Sequence, residues 1–140
     1  MTVQLDRGLA PIFVHESTEI VWGLTPKARL ERALERIRGG SDIGAWGLVF
    51  RADMILDEAL VRALVQQPGT ALLDARGRPV AAHCADAAEL ADTVAAVESG
   101  HRGNLPSNIA CLDAAGLASN YNKALRRKGA PYIFALDDMS

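Results

Sequence analysis

A chain of 140 residues, about half of them apolar, is long enough for one substantial core and short for two domains. A formal net charge of −2 excludes a general attraction to nucleic acid. No apolar run approaches the roughly 20 residues that a bilayer-spanning helix needs.

Aromatic residues make up only 5% of the chain while alanine and leucine are abundant, which predicts an aliphatic core layered between helices and a sheet. Cys84 and Cys111 stand on apolar segments without Cys-x-x-Cys spacing or nearby histidines. They read as two buried free thiols in a reducing compartment, which makes the cytoplasm the expected location. The N-terminus lacks the basic-then-apolar order of a signal peptide.

In chain order, Pro11 to Val14 reads as a first short strand and Thr18 to Trp22 as a second, closed by Gly23. The clearest helix start follows. Thr25 is a good N-cap, and Pro26 takes the first helical position, where a missing N–H costs nothing. Leu30, Ala33, Leu34 and Ile37 recur at helical spacing, with charged residues on the other faces, until Gly39 and Gly40 stop the pattern. The run Ala45 to Phe50 is too short for a helix and is bounded by glycine and by charge. It predicts a strand buried on both faces that ends in Arg51-Ala52-Asp53.

Asp57 can cap a second helix with an apolar face of Leu60, Ala63 and Leu64, ended by Pro68 and Gly69. Thr70 to Leu73 and Pro79 to His83 then read as a hairpin around the turn Asp74 to Arg78. Asp86 and Glu89 have the spacing of a capping box, and Leu90, Val94 and Val97 give a third helix its buried stripe before Gly100. His101 to Pro106 reads as a surface loop and Asn108 to Leu112 as a strand. Asp113 caps a last helix through Leu117, Tyr121 and Leu125, stopped by Gly129 and Pro131, and Tyr132 to Leu136 is a final apolar run. The expected fold is a three-layer αβα sandwich, with a mostly parallel sheet and a β-hairpin near one edge.

Two sets of segments carry a resemblance. Arg51-Ala52-Asp53, Leu56-Asp57, Gly69-Thr70 and Gly77-Arg78-Pro79-Val80 resemble the middle of a sugar-nucleotide transferase-like domain. Val21-Trp22-Gly23-Leu24-Thr25 with Arg29-Leu30, and Tyr121 to Lys128 with Pro131, resemble the cytosolic N-terminal region of some bacterial CDP-alcohol phosphatidyltransferases. Over residues 12–136 the resemblance implies a nucleotidyltransferase-like, Rossmann-like fold. It also implies a parent protein with a membrane-embedded domain that makes phospholipid on the cytosolic side, and an Asp at the end of a core strand, here Asp53, that holds magnesium.

The same residues depart from a working nucleotidyltransferase. Close approach of backbone N–H groups to phosphates needs glycine after the first strand, and His15 to Glu19 offers none, with two carboxylates that repel a triphosphate. Asp74-Ala75-Arg76 is only a fragment of the lipid-transfer signature. The expected function is therefore a degenerate, non-catalytic accessory domain. The alternative is a nucleotide- or small-molecule-binding domain with residual magnesium-dependent activity.

The candidate ligand-binding residues are Lys27 and Arg29 near a helix start, with Arg51 and Asp53 at the strand end. The competing reading makes the first two a polar helix face and the second two solvated loop residues, paired with each other or with neighbours. His15, His83 and His101 show no zinc spacing and no partnered nucleophile. Trp22 and Trp46 read as packing residues. Lys123, Arg126, Arg127 and Lys128 form the dense basic cluster, suited to an anionic lipid surface or to the negative end of a helix. Self-association and contact with the parent's membrane domain are the expected partnerships, and no nucleic acid is expected.

Overall fold

A computed structural model describes residues 11–20, 23–38, 47–121 and 133–135. The end of the expected apolar run, from Leu48 to Phe50, forms a buried strand, with Gly47 in the turn before it and Ala45 outside the described residues. The strand's neighbours are β1 (Ile12–Val14) on one side and, on the other, the second strand of the hairpin. In chain order the elements are β1, α1 (Pro26–Arg38), β2 (Leu48–Arg51), β3 (Met54–Leu56) and α2 (Glu58–Val65). They continue with β4 (Thr70–Leu73), β5 (Pro79–His83), α3 (Leu90–Ser99), β6 (Ala110–Leu112), α4 (Ala114–Tyr121) and β7 (Ile133–Ala135).

Five strands form one sheet in the order β1-β2-β5-β4-β6, and β3 pairs with β7 in a separate antiparallel ribbon. β1 is parallel to β2, and β4 to β6, while β5 is antiparallel to both of its neighbours. Four strands therefore run one way and β5 alone is reversed. The sheet is mostly parallel by direction and mixed by pairing.

Alternation along the strands feeds two cores. Phe13, Leu48, Phe50 and Leu72 face one side with Leu30, Ala33 and Leu34 of α1, much of α2, and Leu117 of α4. Val14, Val49, Ala71 and Ala82 face the other with Val97 and Ile109, flanked by Leu90 and Val94 of α3. Helices thus cover both faces, and the three-layer expectation holds. Each fully buried leucine or phenylalanine contributes roughly 1.5–3 kcal/mol. An exposed ion pair contributes roughly 0–1 kcal/mol, so these two cores hold the fold together.

The helix starts follow their caps. Thr25 Oγ1 accepts from the Ala28 N–H at 3.2 Å, and Asp57 Oδ1 accepts from the Ala59 N–H at 3.1 Å. Asp86 Oδ1 accepts from the Ala88 N–H at 3.0 Å, but the turn it caps is the 3-10 segment Ala87–Glu89, and α3 proper begins one residue later. Gly100, at φ +74, ends α3 in the left-handed conformation that glycine adopts without strain.

Two expectations are corrected, the second strand and the burial of Cys111. Thr18 to Ile20 is irregular and exposed rather than strand, with the Glu19 N–H donating to Ser17 Oγ at 3.1 Å. A serine that bonds the backbone locally diverts it from a ladder. The hairpin lies near one edge, with β4 beside the edge strand β6, while β5 is interior: it is buried along its whole length and His83 pairs with both Leu48 and Thr70. Pro79, which has no N–H to donate, stands at the first position of β5, beside the irregularity between Leu72 and Leu73. Cys111 is half-buried because its strand is an edge, while Cys84 is buried; both thiols are free. The stretch from His101 is an exposed loop as expected, and it holds a 3-10 turn, Arg102–Asn104.

Val21, Trp22, Gly39, Gly40, Trp46, Leu125, Tyr132 and Leu136 lie outside the described residues, as does the basic cluster Lys123, Arg126, Arg127 and Lys128. Among the described residues, no helix is long and apolar enough to cross a membrane.

Candidate functional site at the C-terminal edge of the sheet

In an open α/β sheet, ligands bind beyond the carboxyl ends of the parallel strands. Here that edge collects the residues leaving β1 (His15, Glu16, Ser17), those leaving β2 (Arg51, Ala52, Asp53), and the β4–β5 turn (Asp74 to Arg78). α1 also begins there, with Lys27 and Arg29 in its first turns.

The end of β2 is tied to the loop after β1. Ala52 is fully buried; its N–H donates to the Val14 carbonyl at 2.7 Å, and its carbonyl accepts from the Ser17 N–H at 3.2 Å. The chain then turns through Ala52 and Asp53, and β3 leaves the sheet. Arg51 and Asp53 face each other across this turn in a two-pronged pair, Nε to Oδ1 at 3.0 Å and Nη2 to Oδ2 at 2.6 Å. Their side chains are only 17% and 29% exposed, so solvent competes weakly for either partner.

Lys27 Nζ lies 2.7 Å from Glu16 Oε1 and 5.4 Å from the centre of the Phe13 ring, which stacks on Phe50 at 6.1 Å. Its pKa is raised, first by the hydrogen bond to Glu16 and then by that carboxylate's charge. The glycine-free loop after β1 thus supplies the carboxylate that occupies the first lysine of α1. Arg29 lines a cleft of about 70 Å³ with Pro26, Leu30, Met54, Leu56 and Glu58, between α1, β3 and α2. The four residues chosen from the sequence therefore divide: Arg51 and Asp53 pair with each other, Lys27 joins Glu16, and Arg29 turns to a separate cleft.

Asp53 as it stands does not fit magnesium. A hard cation needs several oxygen ligands, and both Asp53 oxygens accept from Arg51. Among the described residues, no three His, Cys, Asp or Glu side chains gather where they could hold a metal ion.

Two features of this edge were not visible in the sequence. His15, at φ +56, is the one non-glycine residue with positive φ among those described, and its Nε2 meets the Glu98 carbonyl oxygen in the last turn of α3. Arg51 Nη1 and Arg78 Cδ both come within 3.9 Å of where a Cβ on Gly100 would stand. Arg78 is itself paired with Asp74, Nε to Oδ2 at 3.0 Å.

The reversal of β5 explains this gathering. A helix that follows a parallel strand starts at the C-terminal edge and points its N–H groups there, as α1 does. α3 instead follows β5, starts at the opposite edge, and arrives by its carbonyl end. A helix C-terminus carries about half a negative charge, which favours cations. α3 has no basic residue in its own last turn; the His15 ring reaches the Glu98 carbonyl from the loop after β1, and Arg51 Nη1 and Arg78 Cδ pass close to the Gly100 cap. On this face the edge presents the pole opposite to the one that binds phosphate.

Comparison with protein-family models, with curated proteins and with solved structures gives no match for this chain.

Proposed function

We propose that this chain is a non-catalytic, nucleotidyltransferase-like accessory domain acting with a CDP-alcohol phosphatidyltransferase in phospholipid synthesis, at the cytosolic face of the membrane. The observation that carries this reading is the self-neutralised edge. Lys27 and Arg51 are held by Glu16 and Asp53, and the helix end that reaches this edge from α3 is its carbonyl end, met by His15. The resembling segments, Val21 to Leu30 and Tyr121 to Pro131, supply the link to the phosphatidyltransferases.

A thermal-shift titration with CDP and CTP, with and without magnesium, tests it. A ligand selective for the native state raises stability by mass action. The accessory reading expects no saturable shift for the wild type or for Asp53→Ala. A rise of several degrees that disappears in Asp53→Ala would overturn it.

The second reading is a surviving nucleotide- or small-molecule-binding domain with residual magnesium-dependent activity, for which the cleft beside the start of α1, at about 70 Å³, has room for part of such a ligand. On that reading the rise in melting temperature persists in Asp53→Ala and is lost in Arg29→Gln. If neither variant alters a measured shift, the ligand sits elsewhere.

The partner of the basic cluster is proposed to be an anionic lipid surface, where each Lys or Arg adds about 1 kcal/mol of attraction. Vesicles containing phosphatidylglycerol should retain the chain at low salt and release it at high salt. A variant with Lys123, Arg126, Arg127 and Lys128 changed to glutamine should not be retained. Equal retention of wild type and variant would remove the lipid as the cluster's partner. The proposed self-association is checked by sedimentation of the purified chain, where a concentration-independent monomer would exclude it.

A further inference from the structure

We draw no further inference here: the strongest candidate, the cluster of Arg51 and Arg78 side chains beside Gly100 at the C-terminal edge of the sheet, belongs to the site already described, where each guanidinium is held by its own aspartate.

Discussion

Gly47 lies directly against the Cys84 carbonyl: a Cβ at Gly47 would stand 2.3 Å from that oxygen, and the Gly47 carbonyl accepts the Cys84 N–H at 2.7 Å. The glycine opens β2, the carbonyl follows β5, and the contact closes the pairing of the two strands. Gly47 also has φ +83, a region that a side chain makes costly. Gly47→Ala therefore meets a backbone clash and backbone strain together. It should destabilise the fold by about 3 kcal/mol or more, read as a fall in the urea midpoint. Gly77→Ala is the control, because it has the same kind of φ but open space around its Cβ position, and it should cost only about 1 kcal/mol. Equal effects would show that the Cys84 contact is not what restricts position 47.

The Arg51–Asp53 pair is two-pronged and mostly shielded from water. A double-mutant cycle with Arg51→Ala and Asp53→Ala should give a coupling of roughly 1–2 kcal/mol, above the usual value for an exposed pair. A coupling near zero would mean that the pair does not hold the turn after β2.

Asp74 organises the hairpin turn. Its Oδ1 accepts from the Arg76 and Arg78 N–H groups, both at 2.9 Å, and its Oδ2 takes Arg78 Nε. Asp74→Ala should cost about 2–3 kcal/mol by chemical denaturation, since hydrogen bonds to a charged group contribute most. Asp74→Asn, which keeps an acceptor oxygen for the backbone, should recover about half. If asparagine were no better than alanine, the ion pair with Arg78 would matter more to stability than the bonds that Asp74 makes to the turn backbone.

His83 gives acid sensitivity a definite window. Its ring is buried at the end of β5, Nδ1 donates to the Leu64 carbonyl at 2.8 Å, and burial, outweighing that bond, pushes its pKa below the ordinary 6.5. As pH falls, the unfolded chain takes up this proton first. The contribution is complete above pH 6.5 and is lost as pH falls from there through the folded pKa. Glu58, whose pKa is lowered from 4.5 mainly by its hydrogen bond to Arg36, loses its contribution only below that value. The melting temperature should therefore drop between pH 6.5 and 4.5, and His83→Gln should flatten that part of the profile. An unchanged slope in His83→Gln would assign the drop to other groups.

Local chemistry was the legible part of this fold. Thr25-Pro26, Asp57 and Asp86 announced their helical segments because capping depends on residues two or three positions apart. The hairpin was equally plain from Asp74 and Gly77, and the buried strand from its run up to Phe50. β3 escaped because Met54-Ile55-Leu56 adjoins the apolar pattern of α2, and only its pairing with β7, far along the chain, makes it a strand. The place of β5 inside the sheet escaped for a similar reason, since pairing between distant strands leaves no local mark. At the site, Arg51 and Asp53 stood out by position and their pairing was foreseeable at a spacing of two. The meeting of Arg51, Arg78 and His15 at the end of α3 depends on four elements and on the direction of one strand, so no stretch of residues encodes it.

The reversed β5 also bears on how the sheet assembles. Among the described strands it makes β4 and β5 the one adjoining pair joined by a short turn, whereas β1–β2 and β4–β6 pair across stretches that contain a helix. Closing a short loop costs less chain entropy and takes microseconds, while the longer closures are repaid only after their contacts form. Folding is therefore expected to nucleate on the hairpin, with β2 and β6 adding to its two sides and β1 docking last. Kinetic φ-values near 1 at Leu72 and Val80 and near 0 at Ile12 would bear this out, and the opposite ranking would refute it. The strand that turns α3 around would then also be among the first parts of the chain to find its place.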